Sequence, residues 1–441
     1  MTNQAVPFRL TRLRTMMFLQ YAVYGLWLPL AARFLKAEPD IGGLGFNESQ
    51  IGFTIGIAGA VGAIAAPFIV GQLTDRWFAA QRCMGVLLII GGIIKFATAY
   101  QTSYFAWLWL SIAFAIVYVP TLGLSNSITM RHLEDPKRDF PGVRVWGTIA
   151  WIVVSWIFPM LWLQQDLKLQ WLPPFFRGDE VPMVAARMLD SVRLAGILAV
   201  GYAAYCWFVL PSTPPTESAG NPALLRAASL MKCRSIAILV VATLLVSPVH
   251  FLYFMQMSNF LPVVGFEDSK TMPIMSIGQV AEIAALAALG FGIRRIGFQK
   301  ILIIGASCYV LRYMIFAMYG SLPPWIIVAA QILHGPCFAC FFAGSFIYID
   351  RMAPPDVRNS AQTFFTLVYS GLGFLIAGFL NGALADLFRL TEKTFDYQRF
   401  WFSAAGMALA ATVLIALLFR DQLQSETTSA AASGNVEDST L

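Results

Sequence analysis

SIGQVAEIAALAALGFGIRR (276–295) decides how this chain is read. From Ile277 to Ile293 the stretch is apolar except for Gln279 and Glu282, and it ends on Arg294 and Arg295. A helix on the surface of a soluble protein turns a polar face to water at every turn. This one has no such face, and its length is close to the roughly twenty residues that a bilayer core requires. Paired arginines at one end suit the headgroup layer on the cytoplasmic side.

Segments of the same kind recur in both directions from it. They lie near 15–35, 52–73, 83–100, 104–130, 141–163, 191–211, 235–261, 272–293, 301–319, 324–349, 361–388 and 397–419. Only helices satisfy their own backbone within one such segment. The expected fold is therefore an all-α integral membrane protein with twelve transmembrane helices. Composition agrees: of 441 residues 58% are hydrophobic and 12% charged, against about one quarter charged in soluble domains. The net charge of +6 is scattered, which argues against nucleic acid as a partner. Arg9, Arg12 and Arg14 precede the first segment, in which Trp27 and Pro29 stand where a cleavage site would, so it reads as a retained helix.

The chain looks duplicated. GQLTDR (71–76) follows the second segment and GFGIRR (290–295) the eighth, 219 residues later; Arg131 and Arg138 have counterparts in Arg351 and Arg358, each 220 residues on. A shared offset of half the chain predicts two pseudo-symmetric six-helix halves with a solute site between them. We divide the chain into an N-terminal half at 1–211, a cytoplasmic connector at 212–234, a C-terminal half at 235–420 and a disordered tail at 421–441. Residues 164–190 form the longest external loop, and Asp75 with Arg76 and Asp356 with Arg358 read as loop charges that latch helix ends.

Ionisable groups are costly in hydrocarbon and mark function. Glu282 is the one carboxylate deep in a segment, with Gln279 three residues before it on the same face. Burial favours its neutral form, so it suits a proton carrier. The structural alternative is an ion pair with Arg312 or another cation. In PGVRVWGTIAW (141–151), Arg144, Thr148 and Trp151 share a face and offer a charged fork, a hydroxyl and a flat ring. Snorkelling to the headgroups is the alternative for Arg144. Tyr253, Gln256 and Asn259 recur at three-residue intervals, and Tyr118 lies in the polar run YVPTLGLSNS (118–127). For both groups helix–helix hydrogen bonding or packing competes with solute contact. Gln20, Tyr24 and Trp27 share a face of the first segment, and His334 lies in the tenth as a packing residue or part of a proton path. Cys337 and Cys340 have C-x-x-C spacing among Phe338, Ala339 and Phe341, a setting for packing and not for metal. No phosphate-binding loop of the G-x-x-x-x-G-K-[ST] type occurs. No enzyme activity, cofactor or metal is expected.

GQLTDR resembles the loop after the second helix of the major facilitator superfamily. YVPTLGLSNSI (118–128) with PGVRVWGTIAW, and then GQVAE (278–282), HGPCFACFFAGSFIYID (334–350) and RNSAQTFF (358–365), resemble the nucleoside:proton symporter family within it. The resemblance implies the major facilitator fold and solute contacts at Arg144, Thr148, Trp151, Gln279 and Glu282. It also departs from the family: where helix ten usually carries an Asp, Ala339 stands. The expected function is proton-coupled symport of nucleosides or a similar polar ring-bearing solute, with Tyr118, Tyr253 and Gln256 as further contacts and Glu282 carrying the proton. A sugar or oligosaccharide symporter of the same superfamily is the first alternative, and a non-transporting membrane sensor the second. The partners are thus a small solute, protons and the lipid bilayer, with the chain acting as a monomer in the cell membrane.

Orientation follows from charge. Seventeen Lys and Arg fall on the side of the termini and ten on the other, which places both termini in the cytoplasm. A reporter fused after Leu441 is expected to work only as a cytoplasmic fusion. Activity on the outer side would overturn the span count.

Overall fold

Backbone groups in hydrocarbon must bond within the chain, and the apolar segments do so as helices. The computed structural model describes residues 8–69, 78–171, 176–214, 229–354, 357–391 and 394–422. The loop charges Asp75, Arg76 and Asp356, most of the connector and nearly all of the tail lie outside the described residues.

The N-terminal half contains α1 (Arg9–Lys36), α2 (Glu48–Ile69), α3 (Ala80–Thr98), α4 (Tyr104–His132), α5 (Pro136–Trp162) and α6 (Val184–Phe208). The C-terminal half starts with α7 (Arg234–Val264). Next comes the run Thr271–Ala317, two helices joined without a loop, in keeping with the two segments expected there. Its break is Gly297, at φ 79°, a conformation that glycine adopts without strain. The two legs, 271–296 and 298–317, are α8 and α9. Then follow α10 (Pro324–Met352), α11 (Ser360–Leu387) and α12 (Tyr397–Leu418).

Ten of the described helices are long and apolar enough to cross a membrane, with the bent one counted once. Counting its legs separately and adding α6 gives twelve. α6 starts earlier than expected because its first turns are charged. One of those charges, Asp190, has two partners: Arg193 meets it at 2.5 Å, and the Trp162 indole donates to it at 2.8 Å. The external loop also departs from a purely helical reading. Gln164–Leu169 (β1) and Phe176–Glu180 (β2) pair as an antiparallel hairpin.

Helix packing repeats with an offset of six. In the first half α1 packs on α5, α2 on α4 and α3 on α6; in the second α7 packs on α11, α8 on α10 and α9 on α12. Between the halves, α2 meets α11, α1 meets α7 and α5 meets α8.

Polar bonds between the halves gather on the face away from the termini. Arg33 grips Asp268 through two bonds of 2.7 and 2.8 Å, the bidentate geometry that makes such pairs strong. Lys36 lies 2.5 Å from Glu48, and Glu48 accepts from the Gln256 amide at 2.5 Å. The same amide donates to Asn381 at 2.8 Å, and the Tyr397 hydroxyl donates to Gln256 at 3.2 Å. On this face α2 and α11 touch backbone to backbone. A Cβ on Gly378 would lie 2.5 Å from the Gly52 carbonyl oxygen.

This contact makes a prediction. Gly378→Val forces a side chain against the backbone of α2, where neither helix can yield cheaply. Overpacking of this kind costs about 1–3 kcal/mol. The melting midpoint of the purified variant is expected to fall, and an unchanged midpoint would show that the α2–α11 contact is not a tight closure.

Candidate functional site

The chemistry gathers between the halves, at two helix crossings that glycine makes possible. Where α1 crosses α5, a Cβ on Gly147 would lie 2.5 Å from the Tyr21 ring, and one on Gly25 would lie 3.2 Å from the Trp151 ring. The close crossing sets the Arg144 guanidinium 4.1 Å above the face of Tyr21. No carboxylate or carbonyl among the described residues pairs with Arg144, so its donors remain for the cavity. Thr148 and Trp151 follow on the same face, as the i+4 and i+7 spacing requires. Trp151 turns its ring toward Tyr24 of α1 and, across the gap between halves, toward Phe254 of α7 at 6.3 Å.

The second crossing joins α8 and α10. A Cβ on Gly335 would lie 2.4 Å from the Ala281 carbonyl, and one on Gly278 would lie 2.9 Å from the His334 Cβ. With the backbones this close, His334 Nε2 comes to 3.8 Å from Glu282 Oε2. Gln279 is buried with an amide oxygen that has no partner among the described residues. An unpaired buried acceptor costs about 1–3 kcal/mol, which a donor on a bound solute would recover.

These groups line one cavity of about 340 Å³. Arg144, Thr148 and Trp151 contribute from α5, His250 and Phe254 from α7, Gln279 and Glu282 from α8, and His334 and Phe338 from α10. Tyr21 and Tyr24 of α1 and Tyr369 of α11 complete an aromatic wall. Two other cavities lie toward the hairpin face. One of about 590 Å³ is lined by Trp156, Gln164, Arg177 and Lys270, and one of about 340 Å³ by Arg33, Lys36, Glu48 and Asp386. The central cavity differs in lying between the halves near the middle of α8, with Glu282 and Arg144 on its wall.

Five of the eight residues singled out from sequence line this cavity, and three do not. Tyr118 is fully buried behind Tyr24, stacked on it at 5.8 Å, and donates to the Gln20 carbonyl. Tyr253 faces the interior of the second half and donates to Gln331 at 2.9 Å. Gln256 belongs to the Glu48 and Asn381 cluster on the face away from the termini. The reason that the α7 row leaves the cavity is geometric. A three-residue step on a helix of 3.6 residues per turn falls about 60° short of a full turn, so such a row spirals and cannot stay on one face. One step back along the same row is His250, which does face the cavity. Its Nδ1 lies 2.8 Å from the Tyr309 hydroxyl. Tyr369 sits in a π-helical turn at Leu367–Leu372, a feature that apolar periodicity does not reveal. Ala339 is fully buried in a second such turn, Cys337–Ala343, beside Phe338.

A direct ion pair between Glu282 and Arg312 is not formed. Arg312 is fully buried and binds His334 Nδ1 at 2.9 Å and Gln331 at 2.7 Å, so His334 stands between the two charges.

Comparison with known proteins gives the family and the fold. The family profile described as "Nucleoside H+ symporter" matches residues 9–424. The chain is 29% identical over 425 residues to the putative nucleoside transporter YegT of Escherichia coli (strain K12), covering 93% of each. It is 24% identical over 429 residues to the nucleoside permease NupG of the same organism, covering 93% of this chain and 95% of that one. The crystal structure of nucleoside transporter NupG superposes with a TM-score of 0.78 at 22% identity, covering 93% of this chain and 99% of that one, which supports the major facilitator fold. A cavity built by two repeated halves, and a profile match over nearly the whole chain, lead to one conclusion: this chain belongs to the nucleoside H+ symporter family.

Proposed function

We propose that the central cavity is where this transporter holds both its nucleoside and its proton. As a family member the chain is a multi-pass secondary transporter of the bacterial inner membrane that carries nucleosides with protons. One observation carries the assignment of the site: Arg144, Gln279 and Glu282 line one space walled by aromatic rings, where the Gln279 amide oxygen has no partner among the described residues. A nucleoside has the complementary parts. Its hydroxyls and base edge would meet Arg144, Thr148, Gln279 and Glu282, and its base would stack on Trp151 and the facing rings.

Glu282 is the proton site in this reading. It is the carboxylate on the cavity wall, and hydrocarbon favours its neutral form. Protonated, it can donate to the solute; deprotonated, it is balanced by nearby guanidiniums. Both halves of one chain complete the cavity, which supports a monomer as the working unit. With both termini cytoplasmic, the Arg33–Asp268 and Glu48 contacts seal the outer face, and the halves rock about the cavity. A thermal-shift screen of nucleosides, nucleobases and sugars tests the solute class. Stabilisation by sugars alone would favour the sugar symporter.

Two substitutions test the site. Arg144→Ala removes a charge-assisted bond worth on the order of 1.5–3 kcal/mol, so nucleoside affinity should fall roughly ten- to hundredfold while the protein still reaches the membrane. Unchanged affinity would return Arg144 to the headgroups. Glu282→Gln keeps the shape but cannot release a proton. In proteoliposomes the parent's uptake should rise as external pH falls, and the variant should lose accumulation driven by a pH gradient while exchange persists. Accumulation at the parent's level would remove Glu282 from coupling.

A further inference from the structure

Arg312 is a buried cation without a buried anion. It is fully inaccessible, and every contact it makes among the described residues is neutral: His334 Nδ1, Gln331 Oε1 and the ring faces of Tyr253 and Phe316. Its Nε has no partner among the described residues. An isolated charge in such a place is expensive, and breaking up the apolar core to hold one needs a reason.

The bonding pattern supplies it. Arginine can only donate, so His334 Nδ1 must accept and carries no proton. The one proton of the neutral ring is then on Nε2, the atom that lies 3.8 Å from Glu282 Oε2. Arg312 therefore fixes the tautomer of His334 and points an N–H at the carboxylate. We propose that Arg312 and His334 are positioning residues that form a relay behind Glu282, with Arg312 the permanent counter-charge of its deprotonated form and His334 the neutral, oriented dipole between the two. This rests on the reading of Glu282 as the proton site.

The surrounding groups decide what the relay does. Two cations flank Glu282: Arg312 through His334, and Arg144 from α5. His250 of α7 is tied to the Tyr309 hydroxyl, and Tyr369 of α11 and Tyr21 and Tyr24 of α1 are neutral phenols on the cavity wall. Arg312 and His334 belong to the same half as Glu282 and move with it. Arg144 belongs to the other half, so rocking changes its approach. One counter-charge is constant and the other varies with the conformation, so the carboxylate is never left without a cation when its proton leaves. The step itself is simple: the O–H bond of Glu282 breaks, the proton passes to the cavity, and the Nε2–H of His334 stays in place.

Infrared titration of the purified protein in lipid tests this without any nucleoside. The carbonyl band of protonated carboxylic acids is followed against pH, and the component missing in Glu282→Gln belongs to Glu282. In Arg312→Met that component should persist to higher pH, its midpoint displaced by about tenfold in proton concentration, the size expected for losing a nearby opposite charge. His334→Phe should displace it in the same direction, and Arg312→Lys, which keeps the charge, should stay nearer the parent. Melting curves establish which variants are folded, and either folded variant, Arg312→Met or His334→Phe, titrating with the parent would overturn the relay. A parent protein with no Glu282 component would instead remove the proton site itself, a different failure.

Discussion

A charge placed in hydrocarbon must find a partner or give up its charge, and the middle of this protein is arranged around that demand. Among the described residues, Glu282 has no fixed cation in contact with it. His334 faces it from its own half, Arg144 shares the cavity from the other, and Arg312 stands behind His334. None of these contacts is a closed ion pair, and a closed pair would hold the carboxylate in one state. The loose arrangement leaves a group that can change protonation without dismantling the fold.

The constraint extends outward through the helix crossings. His334 reaches Glu282 because Gly278 and Gly335 let α8 and α10 meet without side chains between them. Arg144 reaches the cavity because Gly25 and Gly147 do the same for α1 and α5. On the face away from the termini, Gly52 and Gly378 bring α2 and α11 together, and the Arg33–Asp268 and Glu48–Gln256 bonds lie in the same layer. Small residues at crossings are how membrane helices approach closely. Here they set both the walls of the central cavity and the tight contact between α2 and α11.

Much of this was legible in the sequence, for particular reasons. Hydropathy finds spans because the bilayer demands them, so the segment list matched the helices. It separates 272–293 from 301–319 but does not show that a single non-helical residue, Gly297, parts the two helices, since length and apolarity carry no backbone angle. It placed α6 late because charges such as Asp190 look like loop residues until their partners are known. Arg144, Thr148 and Trp151 stand together because i, i+4 and i+7 hold one face, and Glu282 stood out by rarity. Tyr253 and Gln256 were grouped by a three-residue row that in fact spirals away from the cavity. The pairing of Arg312 with His334 is a contact between helices, and nothing in the local sequence of either announces it.

If nucleoside and proton share one site, binding of either must favour the other. Calorimetric titration of a nucleoside that the protein binds, repeated in two buffers of different ionisation enthalpy above the pH at which Glu282 is protonated, measures that linkage directly. Proton uptake on binding, seen as different heats in the two buffers and lost in Glu282→Gln, is the expected result. Identical heats in both buffers for the parent protein would contradict a shared site.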